Sequence, residues 1–291
     1  MSEPGELPGN ASVAQNTPQT PRQKLNLLDI HPLELAQQLS LLEHDLCKNV
    51  VLSDMETRRG HPGRRDSITP CVFFSNHLAN WVMQSILEPE DTPRRAAVME
   101  YFISVAHNAR GINNISSMTA IAAALNVSYV RRLKGSWKLV SEEKCDDILS
   151  CMKTSYPFEG FLYPFTTLAC MEPPGVPFIG NAPDLQYRST HSLTFLRTGF
   201  FLGLRREVDE YYDDLILRGY ARWQSTPYSF EVDEDIRAFI QEGLSQFNGD
   251  DPEQKDRFKK LSLDREPEKS KGKGALRNIL NAPSRWFQRL Q

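Results

Sequence analysis

The sequence predicts an all-α protein with a single large helical domain. Apolar residues recur at three- and four-residue intervals in one segment after another, and alternating strand patterns are almost absent. Helix-start residues, notably proline in first-turn positions, precede several of these segments. Nothing repeats at a fixed period, which argues against a solenoid. The domain is expected over residues 25–250, after a disordered tail at 1–24 and before a basic, partly disordered tail at 251–291.

Along the chain, the first expected helix carries Leu35, Leu39, Leu42 and Leu46 on one face, with Pro32 at its first position and Glu34 in its first turn. The polar stretch 54–69, with Arg58, Arg59, Arg64 and Arg65, reads as a loop. A second helix runs through Val72, Leu78, Val82 and Ile86. Thr92 is expected to cap a third, which holds Val98, Tyr101, Phe102 and Val105 and stops at Gly111. Ser117 is the expected cap of the next, with Ile121, Ala122 and Leu125 inward, followed by an amphipathic stretch with Val130, Leu133 and Trp137. Ser141, Glu142 and Glu143 open a helix through Ile148, Leu149 and Met152. Residues 156–180 read as an extended, proline-rich connector, and helical spacing returns at Leu204–Leu215 and Val232–Leu244.

Composition excludes several classes of function. A net charge of -3 argues against a nucleic-acid binder, and no apolar run approaches the ~18 residues of a membrane span. The opening MSEPGELPGNASVAQ lacks the basic flank and apolar stretch of a secretory signal, and five scattered cysteines do not form a disulfide framework. A cytoplasmic protein with buried or partly buried thiols is expected. No phosphate-binding loop, HExxH or Cys-x-x-Cys occurs, and no cofactor, metal site or catalytic set for bond-making chemistry is expected.

Four blocks, taken in order, do carry a resemblance. LDIHPLELAQQLSLLEHDL resembles the opening helix of the catalytic domain of Ras guanine-nucleotide exchange factors. The run from FFSNHLANWV to VRRLKGSW is similar to that family's second block over some sixty positions. PPGVPFIG and RWQSTPYSF resemble its third and fourth. The likeness spans about residues 25–245. It implies an all-helical fold, a Ras-like small GTPase as partner and GDP release without acid–base chemistry.

Position by position, the resemblance implies that Phe178 lines a groove for the GTPase's switch II segment. A plain core residue is the equal alternative for Phe178. Val72 and Phe73 fall at the groove's edge, Thr119 at another groove position, and Lys134 just after the Arg132–Leu133 pair. Tyr187 and His191 belong to the stretch that corresponds to the family's projecting helical hairpin. There this chain departs from the pattern: His191 stands about where the family has an acid, and Asp209–Glu210 about where it has a basic pair. The resemblance therefore supports an exchange factor first and a catalytically inactive binding module of the same fold second. Asn113–Asn114 correspond to a turn that holds backbone groups, while Arg132 and Trp137 look structural.

Residues 269–291 hold three Lys, three Arg and no acid, with Leu276, Ile279, Leu280, Trp286 and Phe287 among them. Peripheral contact with an anionic membrane is expected of this tail, with a solvated, disordered tail as the equal alternative on composition.

Overall fold

The computed structural model describes residues 25–51, 54, 67–155, 172–178, 218–247 and 252–267. These residues form nine helices: α1 (Pro32–Cys47), α2 (Thr69–Leu87), α3 (Thr92–Gly111), α4 (Ile115–Asn126), α5 (Ser128–Arg131), α6 (Lys134–Trp137), α7 (Glu142–Ser155), α8 (Glu234–Ser245) and α9 (Pro252–Arg265). A short 3-10 turn at Leu27–Asp29 and a helical stretch at 218–225 complete them. Among the described residues the sole β-type pairing is one parallel bridge, Asn114 to Val176. The all-α expectation holds.

Helix α3 is central. It packs on α1, α4 and α7 and buries Val98, Met99, Tyr101, Phe102, Ile103 and Val105, so it is apolar nearly all round rather than along one stripe. Helix α4 is enclosed in the same way by α2, α3 and α7. Val130, Leu133 and Trp137 are buried as expected, and Trp137 donates Nε1–H to the Val130 carbonyl at 3.0 Å. Burying each such side chain contributes ~1.5–3 kcal/mol.

Two caps differ from expectation. Asp91, not Thr92, caps α3: its carboxylate accepts from the Arg94 amide at 2.7 Å, while Thr92 Oγ1 accepts from the Arg95 guanidinium. Asn114, not Ser117, caps α4, its side chain accepting from the Ser117 amide at 2.9 Å. In each case the side-chain oxygen reaches the amide three residues ahead, so the cap stands one residue before Thr92 and three before Ser117. The inward face of α1 is also rotated. Leu35 and Leu39 are fully buried, but Leu42 and Leu46 are half-buried, and the stripe continues through Ser40, Glu43, His44 and Cys47.

The folded region continues past residue 250. Phe258 and Ser262 of α9 are buried, and Arg132 donates to the Ser262 carbonyl. Beyond α9, the Glu266 carboxylate accepts from the Gly135 and Ser136 amides, each at 2.9 Å. It also lies 3.8 Å from the buried Arg95 guanidinium. Charge hid this helix, since its five basic and three acidic side chains cover all but a narrow apolar strip. The N-terminal tail, residues 268–291, most of the 156–180 connector and the expected hairpin lie outside the described residues.

Gly243 in α8 lies against the Trp81 ring, which meets Phe102 and Phe239 edge-on at 5.9 and 5.8 Å. A Cβ there would sit 2.6 Å from Trp81 Cε2 and Nε1. Gly243→Ala is therefore expected to destabilise by about 1–3 kcal/mol, although alanine is the better helix former by about 1 kcal/mol. Urea unfolding of the two proteins checks it; a stabilised variant would show that the ring moves aside freely.

Candidate functional site

The candidate site is built where α2 begins and residues 172–178 pass over the start of α4. After Gly111 the backbone turns at Asn113, whose φ of 61° lies in the left-handed region that asparagine tolerates. Asn113 offers its carbonyl to the Val176 amide at 3.0 Å, and its side-chain amide donates to the Glu172 carbonyl at 3.0 Å. The Val176 carbonyl in turn accepts from the Ile115 and Ser116 amides, at 2.9 and 3.2 Å. These are first-turn N–H groups of α4 that have no partner within the helix. The expectation that Asn113–Asn114 hold backbone groups is met.

Beneath this turn lies a buried polar network. Asn114 Nδ2 donates to Ser40 Oγ at 3.0 Å and to Ser117 Oγ at 3.1 Å. Ser117 Oγ donates to Glu43 Oε2, and Ser75 and Ser116 share a hydroxyl contact at 3.1 Å. Glu43 is 3% exposed. Burial pushes its carboxyl above the ordinary value, and hydrogen bonds from Ser117, Ser116 and Asn114 oppose that rise. His44 Nε2 meets the Trp223 carbonyl at 3.1 Å, which ties α1 to the stretch at 218–225.

A second, smaller apolar cluster stands beside the network. Cys47, Val50, Ile68, Cys71, Val176, Tyr220 and Tyr228 form it, with Val72 packed on its edge. The Cys71 thiol, hydrogen-bonded to that of Cys47, and burial together raise the Cys47 thiol. Of the four described cysteines, Cys47, Cys71 and Cys151 are buried and Cys145 is half-buried, as the sequence suggested.

The expected site residues divide. Val176 is buried and Phe178, two residues on, is 42% exposed, which removes the plain-core alternative for Phe178. Val72 is half-buried, and Phe73 is 48% exposed and stacked parallel to the His77 ring at 6.2 Å. Val72 packs on the second cluster, which also holds Cys71 and Val176, each two positions before an exposed ring, Phe73 and Phe178. Thr119 does not reach the surface. It is 4% exposed, because α4 is covered on every side. Lys134 is exposed but lies elsewhere. Its neighbour Gly135 bonds Glu266, and Arg265 binds the Leu87 carbonyl at the far end of α2, ~22 Å along the helix from Val72. Tyr187 and His191 lie outside the described residues.

Sequence reasoning missed Ser40, Glu43 and the interior role of Asn114. A signal was present: Ala36, Ser40, Glu43 and Cys47 recur at helical spacing as regularly as the leucines beside them. Among the described residues no group of three His, Cys, Asp or Glu could hold a metal ion, and no helix is long and apolar enough to cross a membrane.

Comparison with known proteins gives a consistent picture. Residues 34–201 match the model of the RasGEF domain family. Cell division control protein 25 of Saccharomyces cerevisiae is 32% identical over 203 residues, covering 64% of this chain and 13% of that protein. Protein son of sevenless of Drosophila melanogaster is 28% identical over 245 residues, 79% of this chain and 14% of the relative. Ras guanine nucleotide exchange factor efc25 of Schizosaccharomyces pombe is 28% identical over 232 residues, 74% of this chain and 22% of the relative. The chain thus spans less than a quarter of the length of each of these relatives.

The Glu43 carboxyl generates a prediction with a definite sign. A folded-state value raised above 4.5 means that the folded protein holds this proton more tightly than the unfolded chain does. Its contribution to stability is therefore present at low pH and lost as pH rises from 4.5 towards the folded value, with a slope of at most ~1.4 kcal/mol per pH unit. Glu43→Gln keeps the shape and removes the titration. Measured by urea unfolding across this range, wild type is expected to lose stability relative to Glu43→Gln as pH rises. A difference that stays constant with pH would refute it.

Proposed function

Because this chain belongs to the RasGEF domain family, we propose that it is a guanine-nucleotide exchange factor for a Ras-like small GTPase, promoting GDP release. The observation that best supports this reading is the exposed apolar surface of Phe73, Phe178 and the edge of Val72, carried on a hydrogen-bonded and packed base. Exposed aromatic side chains on a firm base are the usual anchors of a protein interface.

Such a surface promotes exchange through differential affinity. A partner bound more tightly without nucleotide than with it loses nucleotide affinity by the same factor when the surface engages. No covalent bond forms or breaks in the partner, and none of the residues described here needs to move a proton. A second reading, a binding module without exchange activity, is favoured by one feature. At Asp209–Glu210 this sequence is acidic where the family resemblance has a basic pair. Release of fluorescent GDP from a panel of Ras, Rap, Ral and Rho-type GTPases separates the two. Accelerated release from at least one supports exchange. Tight binding of a nucleotide-free form with no acceleration from any supports the module.

Phe178→Ala is expected to weaken binding to the nucleotide-free GTPase by at least ~2 kcal/mol and to cost folding stability less than that, because the residue is 42% exposed and outside the core. Calorimetry of binding and of unfolding reads both quantities. Unchanged affinity would remove Phe178 from the interface.

The same reading places the protein in the cytoplasm, with no role for nucleic acid. The basic tail at 269–291 would bring it to anionic membrane, where Ras-like GTPases work. Sedimentation with phosphatidylserine vesicles is expected to be salt-sensitive and to fall when the chain ends at Glu268. Equal, salt-insensitive pelleting of both chains would refute tail-mediated binding.

A further inference from the structure

We propose that Glu43 is a positioning residue for the partner-binding face: from α1 it anchors the start of α4 and, through the Asn114–Val176 bridge, sets where Phe178 stands. The proposal rests on the reading of that face given above.

A direct chain of contacts carries it. Glu43 accepts from Ser117 Oγ, and the amide and hydroxyl of Ser117 both bond the Asn114 side chain. The neighbours of Asn114, namely Asn113, Ile115 and Ser116, make the backbone hydrogen bonds with Val176 that pair it with Asn114. Val176, buried, is followed by buried Pro177 and exposed Phe178. Two covalent steps thus separate the end of the buried network from the exposed ring. Ser116, which bonds Ser75 on α2, links the same network to the helix that carries Val72 and Phe73.

Packing alone does not account for a glutamate here. A carboxyl buried without a cation costs stability, and a well-packed apolar residue in its place is often neutral or better. Among the described residues, the groups that act on Glu43 most are Ser117, Ser116 and Asn114, with no Lys or Arg beside them. The titratable groups that face it are Cys47 from its own helix and Tyr228 from the segment before α8, with His44 adjacent in sequence; the α4 side contributes Ser116, Ser117 and Asn114. What a carboxyl supplies and an apolar side chain cannot is direction. It fixes the first turn of α4 about its axis and therefore fixes the two amides that grip Val176.

The test uses the full chain with Glu43→Leu and Glu43→Gln. Glu43→Leu fills the space without hydrogen bonds, and Glu43→Gln restores a neutral planar group. Amide hydrogen exchange at Ile115, Ser116 and Val176 reads the bridge, exchange within α3 reads the core, and affinity for a nucleotide-free Ras-like GTPase reads the face. Glu43→Leu is expected to speed exchange at the three bridge amides about tenfold or more, leave α3 within about threefold of wild type, and weaken GTPase affinity about tenfold. Glu43→Gln is expected to return all three readings to near wild type. A merely structural glutamate predicts instead that Glu43→Leu changes α3 and the bridge together, or changes neither, and either result overturns the proposal. A loosened bridge with unchanged affinity overturns its connection to the partner. In that case the Phe178→Ala measurement shows whether the surface reading has failed as well.

Discussion

The architecture around the candidate site depends on one constraint: the first turn of α4 has backbone donors that must be satisfied inside the protein. Asn114 satisfies one from within the chain, through its cap on Ser117. Val176, more than fifty residues away in sequence, satisfies two more, at Ile115 and Ser116. An unpaired buried N–H costs about 1–3 kcal/mol, so the segment at 172–178 is held by backbone groups that have no cheaper alternative. This explains how a stretch without regular structure keeps a defined position, and why buried Val176 and exposed Phe178 lie so close together. Helix α1 closes the arrangement from below by presenting Ser40 and Glu43 where a purely packing helix would present leucine.

A second anchorage secures the opposite end of the molecule. Arg95 is buried and directs its guanidinium to the carbonyls of Pro89 and Glu90, to Ser136 Oγ and to Thr92 Oγ1. Glu266 stands 3.8 Å away and also holds the start of α6. The pair is part of a hydrogen-bonded junction, which is the setting in which a buried charge is tolerated. The last described residue, Pro267, directly follows Glu266 at this junction.

Much of this was legible in the sequence, for a physical reason. Leucine spacing marks α1, α2, α7 and α8 because each has a wet side and a dry side. Helices α3 and α4 lose that contrast by being enclosed, yet proline at the second position of α3 and the Asn-Asn turn before α4 still mark their starts. Less legible were features set by partners distant in the chain. Thr119 matched a groove position in pattern, but whether it is open depends on how α2, α3 and α7 cover α4, which local spacing does not contain. Helix α9 carries charge on most of its surface and is held by Arg132 and Arg95, residues 130 or more positions earlier than their contacts. Phe178 was equally compatible with core and surface until the Asn114–Val176 bridge fixed which neighbour turned inward.

The described residues on either side of segment 179–217 share one base. The segment leaves the described fold just after Phe178, two residues beyond Val176, and returns at 218, two residues before Tyr220. Val176 and Tyr220 belong to one buried cluster. On the return side, Gln224 donates to the carbonyls of Cys47 and Val50 at 2.9 and 2.7 Å, and His44 holds the Trp223 carbonyl. Arg222 also pairs with Glu172 at 2.9 Å, although both are exposed and such a pair contributes at most about 1 kcal/mol. Departure and return are thus fixed to the same base, which also carries the edge of Val72. A partner seated on Phe73 and Phe178 would rest against the foot of that segment. Any force it exerted there would be resisted by backbone hydrogen bonds and a packed cluster rather than by side-chain contacts at the surface. That is the mechanical requirement for a surface that must hold its shape while a bound partner changes its own.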